Sequence, residues 1–315
     1  MSGLGQRITH FKSILQSAGD RSMEWLSPDL SGCTVCGKKV LPQQGSAYAE
    51  QGMASYRLLR QSLCVSCFAS IPWLDRIACP VCGRGVNCGD CLRRRERHFV
   101  CNRSAVGYSP VMREWLAMYK YRGNERLAPM LAEMLVPSFI RLTEEKLIIN
   151  HRKGQAGIRS REGGGGLQRV RKWVHQLWNP HASISRSWDA ITYVPISGER
   201  AQERGFNQAQ QMALYLSNRF DIPIYDLLIR DRHTEKMSFK TRVERQRDSE
   251  ALFTGNEVQI RRLERSLSSS NGEECTILLI DDIYTTGSTA EACASALVRY
   301  AYRPVQLYTL TWARS

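Results

Sequence analysis

An apolar run, Ile277-Leu278-Leu279-Ile280, is followed by two carboxylates, Asp281 and Asp282, and after Ile283-Tyr284 by Thr285-Thr286-Gly287-Ser288-Thr289. A strand of that composition delivers the acid pair to the carboxyl edge of an α/β sheet, where such sheets bind ligands. The hydroxyl-rich stretch then turns into a helix, whose first backbone N–H groups and dipole favour a phosphate. Gly287 lets the backbone come close, and the four hydroxyls donate to phosphate oxygens. Adjacent carboxylates suit the vicinal hydroxyls of a ribose, and they suit Mg2+ held directly or through water. The combination reads as a site for a sugar phosphate. An apolar strand with two acids also occurs in nucleotide-hydrolysing and receiver folds. Here no G-x-x-x-x-G-K-[ST] loop accompanies it, and no G-x-G-x-x-G follows a strand.

A second chemistry lies in four cysteine pairs: Cys33/Cys36, Cys64/Cys67, Cys79/Cys82 and Cys88/Cys91. Two intervening residues let both thiolates face one ion, and the glycines after Cys36 and Cys82 relax the tight knuckle. Eight ligands make two tetrahedral four-cysteine sites for structural Zn2+. Sequential pairing puts Cys33/Cys36 with Cys64/Cys67 and Cys79/Cys82 with Cys88/Cys91; an interleaved pairing fits the same spacings. His98 and Cys101 are a spare ligand pair. Arg93, Arg94, Arg95 and Arg97 follow the last knuckle, and Trp73 lies between the two proposed sites. Basic side chains near an aromatic suit single-stranded nucleic acid. A solvated basic edge with Trp73 in the core accounts for them equally well.

The chain of 315 residues carries a net charge of +14, which favours polyanionic partners. Nine of its eleven cysteines fall between residues 33 and 101, a clustering that points to metal rather than to secreted disulfides. The first 27 residues mix charges with apolar side chains and show no secretion signal. No aliphatic run approaches a membrane span, so the expected location is cytoplasmic.

The elements that must position these residues alternate between strand and helix. Ala190–Val194, Cys275–Ile280 and Val305–Trp312 read as strands, and Gln208–Phe220 and Thr289–Tyr300 as helices. The pattern implies an α/β fold with a mostly parallel sheet flanked by helices, at residues 102–315, after a cysteine module at 28–101. Within the larger part, residues 151–187 differ in composition. They hold Gly163–Gly166 and eight Lys or Arg against the single acid Glu162, half the net charge of the chain. This reads as a basic, Gly-rich insertion with a short amphipathic helix at 167–178. It suits a solvated loop, with an arm for nucleic acid or an anionic surface as the lesser reading.

After the strand ending at Pro195, Arg200 and Arg204 stand four apart, on one face of a helix. Two guanidiniums at a strand edge can clamp a pyrophosphate as its charge builds. A plain surface helix, with Glu199 and Glu203 pairing to the arginines, is the alternative. Lys240, Arg242 and Arg245 suit a basic lid over phosphates, or a charged helix.

The acid pair with Thr285–Thr289 resembles the phosphoribosyl pyrophosphate (PRPP) loop of type I phosphoribosyltransferases. Three further stretches and the cysteine pairs make the chain similar to one branch, the ComF family of ComFC/GntX-like competence proteins. Tyr119–Gly123 looks like that family's segment joining the zinc module to the transferase domain. Val194–Ala209 is similar to its pyrophosphate-side loop, and Thr234–Arg245 looks like its mobile loop. The resemblance spans about residues 30–315, apart from the basic insertion. It implies a double zinc ribbon followed by a type I phosphoribosyltransferase fold. It further implies Asp281 and Asp282 on the ribose hydroxyls, Thr285–Thr289 on the 5-phosphate, Arg200 and Arg204 on pyrophosphate with Mg2+, and Lys240 and Arg245 in the lid. A role in uptake of transforming DNA is also implied, beside a competence helicase or DNA-processing partner.

Two departures bear on catalysis. Met237 stands where the family commonly has Gln, and Thr285 where some purine-salvage relatives have an acid that serves as base. A threonine accepts no proton at neutral pH, so the base and the acceptor substrate are open. The rival reading is a non-enzymatic adaptor that binds single-stranded DNA and uses the PRPP pocket as a sensor.

Overall fold

The computed structural model describes residues 32–40, 54–93, 97–121, 127–156, 184–230, 252–267 and 274–315. The sequence motifs at Arg94–Arg95, Arg122–Gly123, the proposed helix 167–178 and the lid with Met237, Lys240, Arg242 and Arg245 lie outside the described residues.

Three short helices accompany the cysteines: α1 (Ala54–Ser62), α2 (Val65–Ala69) and α3 (Gly89–Arg93). Then follow β1 (Phe99–Gly107), α4 (Pro110–Tyr121), α5 (Leu127–Ala156), β2 (Ala190–Tyr193), α6 (Gly198–Arg204) and α7 (Gln208–Phe220). The chain continues through β3 (Leu228–Arg230), β4 (Phe253–Gly255), α8 (Glu257–Ser266), β5 (Cys275–Tyr284), α9 (Ser288–Tyr300) and β6 (Val305–Arg314). Helix α5 contains residues 151–156, so the segment of distinct composition begins inside a helix.

The main sheet has the order β1-β6-β5-β2, every neighbouring pair parallel, and β3 and β4 form a separate antiparallel pair. This is the α/β architecture expected from the strand–helix alternation. Strand β5 continues past Ile280: its pairing with β6 runs on through Asp281–Thr311 to Tyr284–Arg314. The backbone ladder therefore carries both acids within the strand, although the apolar run stops before them.

Alternation along β5 sends successive side chains to opposite faces. Leu278 and Ile280 join Trp115, Leu131 and Met212 in one core under α4, α5 and α7. Ile277 and Leu279 join Cys293, Ala296 and Leu297 of α9 in a second core on the other face. Full burial of each such aliphatic side chain contributes on the order of 1.5–3 kcal/mol, which makes a one-residue slip of β5 prohibitive. Among the described residues, no helix is long and apolar enough to cross a membrane.

Candidate functional site

The turn from β5 to α9 depends on one backbone conformation. Gly287 caps α9 with φ +82°, a left-handed geometry that favours glycine. A Cβ at Gly287 would come within 2.1 Å of the Tyr284 hydroxyl. Inside the turn, the Thr286 and Ser288 hydroxyls lie 3.1 Å apart, and the Ser288 N–H faces the Thr286 oxygen at 3.4 Å. A small pocket beside it is lined by Asp281, Thr285, Gly287, Thr289, Thr309 and Thr311, among others. Hydroxyls, a left-handed glycine and the N-terminus of a 13-residue helix thus converge at one end of the parallel sheet.

The acid pair is split between the two faces. Asp281 borders the pocket. Its carboxyl is pushed up to about 8 by burial and then by Asp282, with Lys120 and Arg230 pulling the other way. Asp282 faces the opposite side and is ion-paired with Lys120 of α4. The structure brings Asp281, Thr285, Gly287 and Thr289 to one pocket, which Thr286 and Ser288 do not line, and it gives Asp282 a cationic partner.

Lys120 belongs to the Tyr119-Lys120-Tyr121 run, and each of its side chains reaches a different part of the site. The Tyr119 hydroxyl donates to Gln211 of α7, and its ring lies 5.1 Å from that of Phe206. Tyr121 accepts a hydrogen bond from Arg204 at 3.0 Å, and the guanidinium lies over its ring at 4.9 Å. The end of α4 therefore connects the acid strand to the arginine helix.

Arg200 and Arg204 sit on α6, as their spacing requires. Ser197 accepts from the Arg200 N–H at its start, and Gly205 ends it with φ +72°. Next, Asn207 caps α7 and its amide donates to Val194 O at 3.0 Å, which fastens the loop back to the sheet edge. Among the described residues, no ion pair joins Glu199 or Glu203 to either arginine. Arg204 instead meets Tyr121 and Gln208.

Two arginines beyond those singled out in the sequence also belong here. Arg230 ends β3, stacks over Phe253 at 5.7 Å, and is held below the usual arginine range by burial and by Arg200. It feels Asp281 as well. Arg314, on the last strand, donates to Thr285 O at 2.7 Å and Tyr284 O at 3.2 Å. A basic residue closing a β-strand is the signal each offered.

The eight paired cysteines gather into two tetrads with sequential pairing, Cys33/Cys36/Cys64/Cys67 and Cys79/Cys82/Cys88/Cys91. Within each, the four sulfurs lie within 4.8 Å of one another. A tetrahedron of Zn–S bonds of about 2.3 Å places its sulfurs about 3.8 Å apart. The Cys36–Cys64 separation of 3.6 Å matches that requirement. Both donor sets fit a closed structural zinc site. His98 and Cys101 are in neither tetrad; His98 Nδ1 meets Glu291 at 2.5 Å and Cys101 is buried in β1. Trp73 packs against the first core, and Arg93 and Arg97 are exposed.

No protein-family model matches the chain. Among curated proteins, Competence protein ComFC of Bacillus subtilis is 27% identical over 76% of this chain and 78% of its own length. Competence protein ComFC of Streptococcus pneumoniae is 24% identical over 88% of this chain and 98% of its own. Competence protein F of Haemophilus influenzae is 29% identical over 45% of this chain and 55% of its own. Together with the motifs, the two cysteine tetrads and the parallel α/β sheet, these three relatives support the chain as a member of the ComF family.

Proposed function

We propose that the chain binds PRPP with Mg2+ and acts in competence, as its relatives' names describe for them. The observation that carries this reading is the convergence of Asp281 with Thr285, the left-handed Gly287 and Thr289 in one pocket. In this reading Thr285, Thr286, Ser288, Thr289 and the N–H groups of α9 hold the 5-phosphate. Asp281 and Asp282 hold the ribose hydroxyls, Lys120 giving way as the sugar enters. Arg200 and Arg204 hold pyrophosphate, while Lys240 and Arg245 close above it. The chain is organised as a cysteine module at 28–101 and a transferase-like part at 102–315.

In turnover, the bond from the anomeric carbon to pyrophosphate breaks and a bond to an acceptor nitrogen forms. The arginines stabilise the charge gathered on the leaving group. The acceptor nitrogen's proton leaves to the substrate's own oxygens or to solvent, since Thr285 takes none. The assay is pyrophosphate release from PRPP over a panel of nucleobases, with Asp281→Asn/Asp282→Asn as control. Release with one base, abolished in the double variant, is expected. No release with any base, alongside retained PRPP binding, removes the enzyme reading.

A second reading is an adaptor for single-stranded DNA, favoured by the exposed Arg93 and Arg97 beyond the second tetrad and the net charge of +14. Its binding would weaken steeply with salt. Replacing Arg93 and Arg97 would flatten that slope if this edge is the contact; an unchanged slope rules the edge out.

A further inference from the structure

The second cysteine tetrad and the proposed phosphate turn share one guanidinium. Arg314 is 7% exposed, at the end of β6. Its Nη2 donates to Cys82 Sγ at 3.5 Å, while its Nη1 donates to the carbonyls of Thr285, Tyr284 and Ser315 at 2.7, 3.2 and 3.1 Å. The guanidinium plane lies over the Tyr284 ring at 4.8 Å. That ring in turn leans against Phe99, centroids 6.5 Å apart, and carries its hydroxyl to the spot where a Gly287 side chain would stand. Only a planar fork of five donors reaches a sulfur on one side and backbone carbonyls on the other.

Other bonds follow the same route. His98, which follows the last knuckle, donates its backbone N–H to both carboxylate oxygens of Glu291 at 3.2 Å, in the first turn of α9. The Cys79–Cys82 knuckle is tied to β1 by Asn102, whose N–H donates to Val81 O at 2.7 Å and whose amide donates to Cys82 O at 3.3 Å. Cys79, Cys82 and Cys88 pack in the core that includes Tyr284 and Ala290; Cys33 and Cys64 pack in the other. The two tetrads therefore stand in different relations to the turn.

We propose that Arg314 is a positioning residue through which metal in the second tetrad, and not in the first, orders the Thr285–Thr289 turn. A metal-bound sulfur carries thiolate charge, and a hydrogen bond from a guanidinium to it is charge-assisted. Metal at this tetrad also cross-links the two knuckles that hold Cys82 in place. With metal lost, the guanidinium loses its anionic anchor and the turn loses its brace. The consequence for ligand rests on the ribose-phosphate reading of the turn; the ordering itself does not.

The experiment is amide hydrogen exchange of the full zinc-loaded chain, read at residues 285–290 against Leu278–Ile280, with zinc content measured alongside. Cys91→Ser and Cys36→Ser each drop the zinc content from two equivalents to one, at the second and first tetrad respectively. Cys91→Ser and Arg314→Met speed exchange of the turn by about tenfold, as loss of one charge-assisted hydrogen bond implies. Arg314→Met keeps both zinc ions, Arg314→Lys restores part of the protection, and Cys36→Ser leaves the turn as protected as in the parent. Equal protection in Cys91→Ser and Cys36→Ser, or a fully protected turn in Arg314→Met, overturns the proposal. Titration with ribose 5-phosphate separates the two readings. If the parent binds none while exchange still follows the second tetrad, the phosphate reading falls and the coupling stands. If the parent binds it while exchange is indifferent to the second tetrad, the coupling falls and the phosphate reading stands.

Discussion

Burial and the neighbouring Asp282 push the Asp281 carboxyl up to about 8, above its ordinary carboxylate range. An acid raised in this way favours the folded state fully below the unfolded value near 4. That contribution drains away as pH climbs through about 8. Asp281→Asn removes the charge but keeps the shape. The variant's melting temperature, measured without ligand, is therefore expected to match the parent's near pH 4 and to exceed it increasingly up to about pH 8, levelling beyond. A difference that does not change with pH would mean that Asp281 is ionised throughout. Under the proposed function, a ribose diol or Mg2+ bound at this position would favour the ionised form against that burial. Asp282, on the far face, is paired with Lys120.

At the scale of elements, the end of α4 is the junction on which the site depends. Tyr119 fixes it to α7, Lys120 to β5 and Tyr121 to α6. Tyr121 is an exposed ring with one hydrogen bond and one stacked guanidinium, a geometry of about 0.5–1 kcal/mol. Tyr121→Ala should weaken pyrophosphate binding about three- to fivefold through a looser Arg204. It should leave ribose 5-phosphate binding as it was, and isothermal titration with each ligand checks the split. Equal losses for both ligands would show that Tyr121 supports the whole pocket and not the arginine helix. Much of this scale was legible in the sequence. Helix α7 begins and ends where its periodicity and the Asn207 cap require, and β2 and α9 fall within a residue of expectation. Strand β5 outran its apolar run, because its length is set by the ladder to β6, which has no mark in the local sequence. The split of Asp281 from Asp282 follows from that extension.

For the whole molecule, the two cysteine tetrads and the parallel sheet were legible because each rests on local spacing: knuckles of fixed length, and strands with their own composition. What was not legible rests on partners distant in sequence. Lys120 meets Asp282 across 162 positions, and Arg314 meets Cys82 across 232. Such pairs form only when β1, β6 and β5 lie side by side and bring the segments that flank β1 next to the ends of β5 and β6. Arg230 entered the site for the same reason, on the antiparallel β3–β4 pair, which sets it near Arg200 and Asp281. The molecule thus gathers its cations around the acid strand from α4, α6, β3 and β6. The central claim is that this gathering serves PRPP, and titration calorimetry of the zinc-loaded chain with PRPP and Mg2+ tests it most directly. The account predicts one PRPP per chain, with affinity reduced at least about a hundredfold in Asp281→Asn/Asp282→Asn, the loss of two hydrogen-bonded charges. Absence of PRPP binding by the parent, or binding undiminished in the double variant, would contradict it.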